Sequence, residues 1–165
     1  MDNKTILATA LKLAEKYAPN TNWSAFVDFS RPANQHRFFL INNNDAEITY
    51  SWFTSHGKGS GPLEQVDRVS NTVMSLCSSK GRYKTLGLYQ GKYGLSLQLN
   101  GEEPLLNGNV KKRAIVMHRS NYVSKSYMES HDYPGRSWGC ITLEPRDCDD
   151  IINKLKGGSL LYVNV

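Results

Sequence analysis

The chain has 165 residues, 39% hydrophobic and 21% charged, with 20 Lys and Arg against 15 Asp and Glu for a formal net charge of +5. This length suffices for one unit with a proper core, and no run approaches the ~20 apolar residues of a membrane-spanning helix. The basic excess suggests an acidic partner, but the cations are scattered and form no helix-turn-helix or zinc-finger pattern, which argues against nucleic acid.

In chain order, Asp2 or Asn3 can cap a first helix whose apolar positions Ile6, Ala10, Leu13, Ala14 and Tyr17 follow helical spacing, with Pro19-Asn20 ending it. The middle reads as β-rich. Ala25–Phe29 and His36–Ile41 are expected strands, and Asn42–Asp45 turns the chain into an alternating partner over Glu47–Thr54. Thr85–Tyr89 and Leu95–Leu99 flank a Gly-containing turn and make a second hairpin. Arg113–Met117 reads as a short central strand and Ser120–Met128 as a short helix. Pro145 suits the first turn of a helix reaching about Lys156, which Gly157-Gly158 stops before a last strand, Leu160–Val163. Strands arranged as hairpins predict a β-rich α+β fold, a mixed sheet or sandwich with a few flanking helices. The whole of 1–165 is expected to form a single domain, a helix over 2–18 ahead of a core over 24–165.

Three cysteines (Cys77, Cys140 and Cys148) cannot all pair within one chain, so a disulfide scaffold is not expected. Cys148 shares a helical face with Ile151, Ile152 and Leu155 and reads as core. Cys77 has no evident partner. Cys140 differs. It closes Gly135-Arg136-Ser137-Trp138-Gly139-Cys140, and His118, at the end of the apolar run Ala114–Met117, lies 140 − 118 = 22 positions upstream. A thiol attacks as the thiolate, and a histidine is the usual base. Glycine at 139 allows a close backbone approach to substrate, with the amides of Gly139 and Cys140 as candidate oxyanion donors.

His118 followed by Ser137-Trp138-Gly139-Cys140-Ile141 resembles the signature of the L,D-transpeptidase (YkuD-like) catalytic domain. The segments Ser55–Gly61, Tyr93–Leu97 and Lys156–Ser159 resemble, in that order, its murein L,D-transpeptidase branch. The resemblance implies a β-rich fold with Cys140 as nucleophile, His118 as base and the carbonyl of Arg119 orienting the imidazole. It implies attack on the carbonyl of the third stem-peptide residue of peptidoglycan, usually a diamino acid, with D-alanine expelled. The resulting thioester is then resolved by an amine or by water. A large residue at 119 departs from the family pattern and suggests a narrowed cleft or a contact to a substrate carboxylate. Thr142 stands where many relatives carry a basic or amide substrate contact.

Substrate contacts are expected from Ser137, Arg136, His56, Tyr93 and Trp138, each with a plainer alternative. His56 either faces substrate from a glycine-shaped loop or is solvated. Arg136 either meets a stem carboxylate, holds the thiolate low in pKa, or is a surface cation. Tyr93 is explained equally by a half-buried hairpin, and Trp138 reads mainly as a packed wall. His131-Asp132 sits in an expected loop between base and nucleophile. The spacing lacks the close ligand pairs of a zinc site, so no metal and no cofactor is expected. The expected partners are peptidoglycan stem peptides, with no membrane span and a monomeric state. The first residues lack a secretory leader. Either an export signal has been trimmed from this sequence, or the protein reaches the wall as a released phage lysin does. The latter route tilts the reading slightly toward hydrolysis (endopeptidase or carboxypeptidase) over periplasmic cross-linking; an inert wall-binding module is the competing class.

Overall fold

The computed structural model describes residues 1–165. Eight strands form one sheet: β1 (Trp23–Asp28), β2 (Phe38–Asn42), β3 (Glu47–Trp52), β4 (Gly81–Gly91), β5 (Gly94–Gly101), β6 (Val116–Arg119), β7 (Ile141–Leu143) and β8 (Leu160–Asn164). Their spatial order is β3-β2-β1-β8-β4-β5-β6-β7. The sheet is mixed, with β1·β8 and β6·β7 parallel and the other neighbours antiparallel. Four α-helices accompany it: α1 (Asn3–Tyr17), α2 (Pro104–Asn107), α3 (Lys125–Met128) and α4 (Cys148–Leu155).

The sheet curls until its two edges meet, so it is a rolled sheet rather than a two-sheet sandwich. Beyond β3, the Ser55 amide donates to Thr142 Oγ1 of β7 (3.0 Å), and the Thr142 amide donates to Thr54 Oγ1 (3.2 Å). Tyr50 Oη adds a bond to Asp147 across the same seam (3.0 Å). Linking the edges through side chains satisfies buried amides that an open sheet would leave unpaired.

Strand alternation divides the interior. Ala25, Val27, Phe38, Leu40, Leu97, Leu99, Met117, Ile141 and Leu161 point into the main core, which α4 fills with Cys148, Ile151, Ile152 and Leu155. On the opposite face Phe26, Phe39 and Ile41 meet Ile6 and Ala10 of α1. Each large aliphatic side chain buried this way stabilises the fold by roughly 1.5–3 kcal/mol. Helix α1 starts where Asp2 accepts from the Thr5 amide (2.7 Å), a side-chain N-cap.

Several elements depart from the sequence reading. The β6 strand is shifted to Val116–Arg119, because residues 108–114 turn, and it lies one strand from the edge. The Ile115 amide bonds back to Val110 O (3.0 Å), and Ala114 adopts a left-handed φ of 51°. The expected helix over 120–128 is two short turns, Asn121–Val123 and α3, separated by Ser124, whose Oγ caps Tyr127 N. Helix α4 begins at Cys148 rather than Pro145, since the amides of Asp147 and Cys148 both return to Glu144 O. No helix is long and apolar enough to cross a membrane.

Candidate active site around Cys140 and His118

Parallel pairing of β6 with β7 brings the two motif residues together. His118 lies opposite Thr142 and Met117 opposite Ile141, so Cys140 enters β7 alongside the strand that carries His118. The imidazole is nearly buried (4% exposed), and its Nδ1 lies 2.7 Å from Arg119 O. A carbonyl can only accept, so Nδ1 carries the proton and Nε2 presents a lone pair. Burial lowers the pKa of His118, an effect that the Arg119 bond partly offsets.

The Cys140 thiol donates to Ala114 O at 3.6 Å. Burial pushes its pKa up, while the Val116 amide and the Arg113 guanidinium pull it down. Thiol and imidazole are therefore both driven toward their neutral forms at rest. The arrangement suits proton transfer during attack rather than a standing thiolate–imidazolium pair.

The turn that carries Cys140 is held from within. Ser137 Oγ donates to Cys140 O (2.8 Å) and accepts from Gly139 N (3.1 Å). This corrects two expectations. Ser137 is a buried staple rather than a substrate contact, and the Gly139 amide is already engaged, so it is not a free oxyanion donor. The Cys140 amide has no intramolecular acceptor and remains available. Gly139 has φ 115°, and a Cβ there would lie 2.7 Å from Cys77 O. Only glycine fits.

The family model of the L,D-transpeptidase catalytic domain (YkuD_2) matches residues 2–164. The chain belongs to this family. The fold agrees with solved L,D-transpeptidases at low identity. An L,D-transpeptidase from Mycobacterium smegmatis aligns at 13% identity and TM-score 0.53, covering 87% of this chain and 59% of that one. L,D-transpeptidase 3 from Mycobacterium tuberculosis aligns at 11% and 0.54, covering 87% and 61%. Its complex with a faropenem-derived adduct gives 11% and 0.55, covering 87% and 60%. The chain thus spans about three-fifths of the length of these structures. No curated protein matches it in sequence.

Within this L,D-transpeptidase domain the other expected site residues separate. The Tyr93 ring stacks on His118, centroids 4.6 Å apart, while remaining 55% exposed. Trp138 is 67% exposed two residues before Cys140, so it is no packed wall. Arg136 donates to Gly61 O (2.7 Å) and, with Lys58 and Arg68, lines a polar cleft of about 400 Å³.

His56 is neither solvated nor facing substrate. It is 1% exposed, its Nε2 lies 2.7 Å from Pro62 O, and its Nδ1 lies 3.3 Å from both terminal nitrogens of Arg37. Burial and the neighbouring Arg37 bring its pKa down to about 4. Its backbone then supports the nucleophile turn, since Ser137 N donates to His56 O (2.9 Å) and Lys58 N donates to Ser137 O (2.8 Å). Arg37 itself is wholly buried and also donates to Thr54 O. As a lone cation at the start of an expected strand, it carried no signal in the sequence.

Arg119 contributes its carbonyl to the imidazole, and its guanidinium pairs with Asp149 of α4 and packs against Gly94. Thr142 is fully buried in the seam and makes no substrate contact. His131 stacks on Tyr127, centroids 3.7 Å apart, in an exposed turn. Residues 114–116, which lead into β6, line a cavity of about 490 Å³ together with Leu86, Tyr89 and Gln98 among others. No group of three His, Cys, Asp or Glu side chains is disposed to hold a metal.

Proposed function

We propose that this chain is a cysteine acyl-transfer enzyme of the murein L,D-transpeptidase branch, acting on peptidoglycan stem peptides in the cell wall. The observation that carries this reading is His118, held as the Nδ1–H tautomer by Arg119 O on the strand paired with the entry of Cys140 into β7. The Cys140 sulfur attacks the carbonyl of the third stem residue while Nε2 of His118 takes the thiol proton. The tetrahedral oxyanion faces the free Cys140 amide. Collapse breaks the C–N bond, and His118 returns the proton to the departing D-alanine amine or cross-linked amine, leaving a thioester. Water or the amine of a second stem then attacks, with His118 removing its proton, and the thiol is regenerated.

Tyr93 covers the imidazole and limits its access to water, and Trp138 offers an exposed ring to the substrate. The cleft lined by Lys58, Arg68 and Arg136, with Asp67 its one carboxylate, carries a net positive charge that suits the carboxylates of the stem. The test is intact mass after incubation with a disaccharide tetrapeptide. The reading expects a covalent tripeptide acyl on Cys140 that His118→Ala does not accumulate. An unmodified thiol in every condition, with substrate untouched, contradicts it.

A further inference from the structure

The sequence motif ends at His118 and Cys140, yet the nucleophile turn rests on a third side chain. The Arg113 guanidinium lies directly beneath Gly139, with one terminal nitrogen 3.2 Å from where a Cβ would stand. It is fixed by three oxygens, donating to Ser70 O (2.8 Å), to Ser79 Oγ (2.6 Å) and to Cys77 O, the carbonyl that packs against Gly139. All three acceptors are neutral, and Arg113 takes part in no salt bridge. A pinned cation without a counter-ion leaves its field unopposed in a partly desolvated place.

The chain then bends sharply. Ala114, at φ 51°, holds a conformation that costs a non-glycine residue energy, and its carbonyl is the acceptor of the Cys140 thiol. Two successive residues thus supply the positive charge and the hydrogen-bond acceptor of the nucleophile.

We propose that Arg113 is a positioning residue for Cys140, whose fixed guanidinium supports the nucleophile turn through Cys77 O and favours the thiolate as it forms. The other ionisable groups around the thiol do not supply this charge. The phenols of Tyr83 on β4 and Tyr122 in the 121–123 turn are pushed up by burial and stay neutral, and burial keeps His118 on β6 neutral. Arg113 is the permanent cation among them, and it lowers the pKa that burial raises at Cys140. The role rests on Cys140 being the nucleophile.

The test is the rate of Cys140 alkylation by iodoacetamide between pH 6 and 10, followed on the tryptic peptide Ser137–Arg146, which contains one cysteine. Arg113→Gln removes the charge, Arg113→Lys keeps it, and Ser79→Ala removes one neutral anchor. The expected result is a fall of about tenfold at pH 8 in Arg113→Gln, with the pH profile displaced upward by about one unit. Arg113→Lys and Ser79→Ala stay within about twofold of wild type. An unchanged rate in Arg113→Gln overturns the proposal, as does an equal fall in all three folded variants, which marks a purely structural part. Should Arg113→Gln not fold, a tenfold fall in folded Arg113→Lys overturns it, and a rate within twofold supports it. Failure of the acyl-transfer reading appears separately, as muropeptides left intact by an enzyme whose thiol still responds to Arg113.

Discussion

The Tyr93 ring lies almost flat against the His118 imidazole, with centroids 4.6 Å apart and planes 19° from parallel. Tyr93 sits in the turn between β4 and β5, and β5 pairs with β6, so this hairpin lays the ring over the imidazole. Tyr93→Ala is expected to lower kcat severalfold by exposing the imidazole, with thermal stability little changed because the ring is largely exposed. Tyr93→Phe keeps the stacking and should retain most activity. Steady-state kinetics of the pair checks this: equal losses in both variants point to the hydroxyl instead of the ring.

The pH dependence of turnover follows from His118. As the proposed base, His118 works only when neutral, and burial lowers its pKa below 6.5. The acid limb of kcat/KM should therefore have its midpoint below 6.5, with activity lost as pH falls through the lowered value. A midpoint at or above 7 contradicts a buried neutral base.

Stability also depends on pH through His56. Its pKa is about 4 in the folded protein against 6.5 for the free side chain, so the unfolded chain takes up a proton first as pH falls. The contribution is complete above about 6.5 and is lost between about 6.5 and about 4, amounting to as much as ~3 kcal/mol. His36 and His118 are lowered in the same direction and steepen the same window. Urea unfolding at pH 7.5, 6 and 5 should show a falling midpoint, with a shallower fall in His56→Gln. A wild-type midpoint that is flat over this range contradicts the buried neutral histidine.

Substitutions at neighbouring positions should separate sharply. Gly139→Ala forces a Cβ to 2.7 Å from Cys77 O at a φ of 115° and should cost about 1–3 kcal/mol along with nearly all activity. Arg119→Ala keeps the backbone carbonyl that holds His118 and loses only a half-exposed pair with Asp149. It should cost under about 1 kcal/mol and leave kcat within twofold. Kinetics and thermal melts of both variants check the contrast; a large kcat loss in Arg119→Ala places its guanidinium in catalysis.

The pieces legible in the sequence were local ones. The Asp2 cap, the helical spacing of Ile6, Ala10 and Ala14, and the glycine-flanked β4–β5 hairpin are all written within a few residues, and each is present. The apolar face of Cys148, Ile151, Ile152 and Leu155 is likewise buried as its spacing predicts. The rest depends on partners far apart in the chain. Strand β7 has only three residues and exists through its parallel pairing with β6. The shift of β6 hangs on Ala114 taking a left-handed conformation that alanine seldom adopts. The Ser55–Gly61 loop left His56 either facing substrate or solvated. Burial beside Arg37, 19 residues earlier in sequence, made it a strut for Ser137 instead. The engaged Gly139 amide was equally invisible, because a Ser137 hydroxyl reaching it is a property of the turn's shape.

The most direct test of the central claim is mass spectrometry of purified tetrapeptide and cross-linked muropeptides after incubation with wild type and Cys140→Ala. Cys140→Ala removes one weak sulfur hydrogen bond and should fold normally. The account predicts that wild type releases D-alanine or alters cross-links and that Cys140→Ala does neither. Loss of D-alanine or of cross-links identifies water as the acceptor, and new dimers joined through two third-position residues identify an amine. Turnover retained in folded Cys140→Ala contradicts the account.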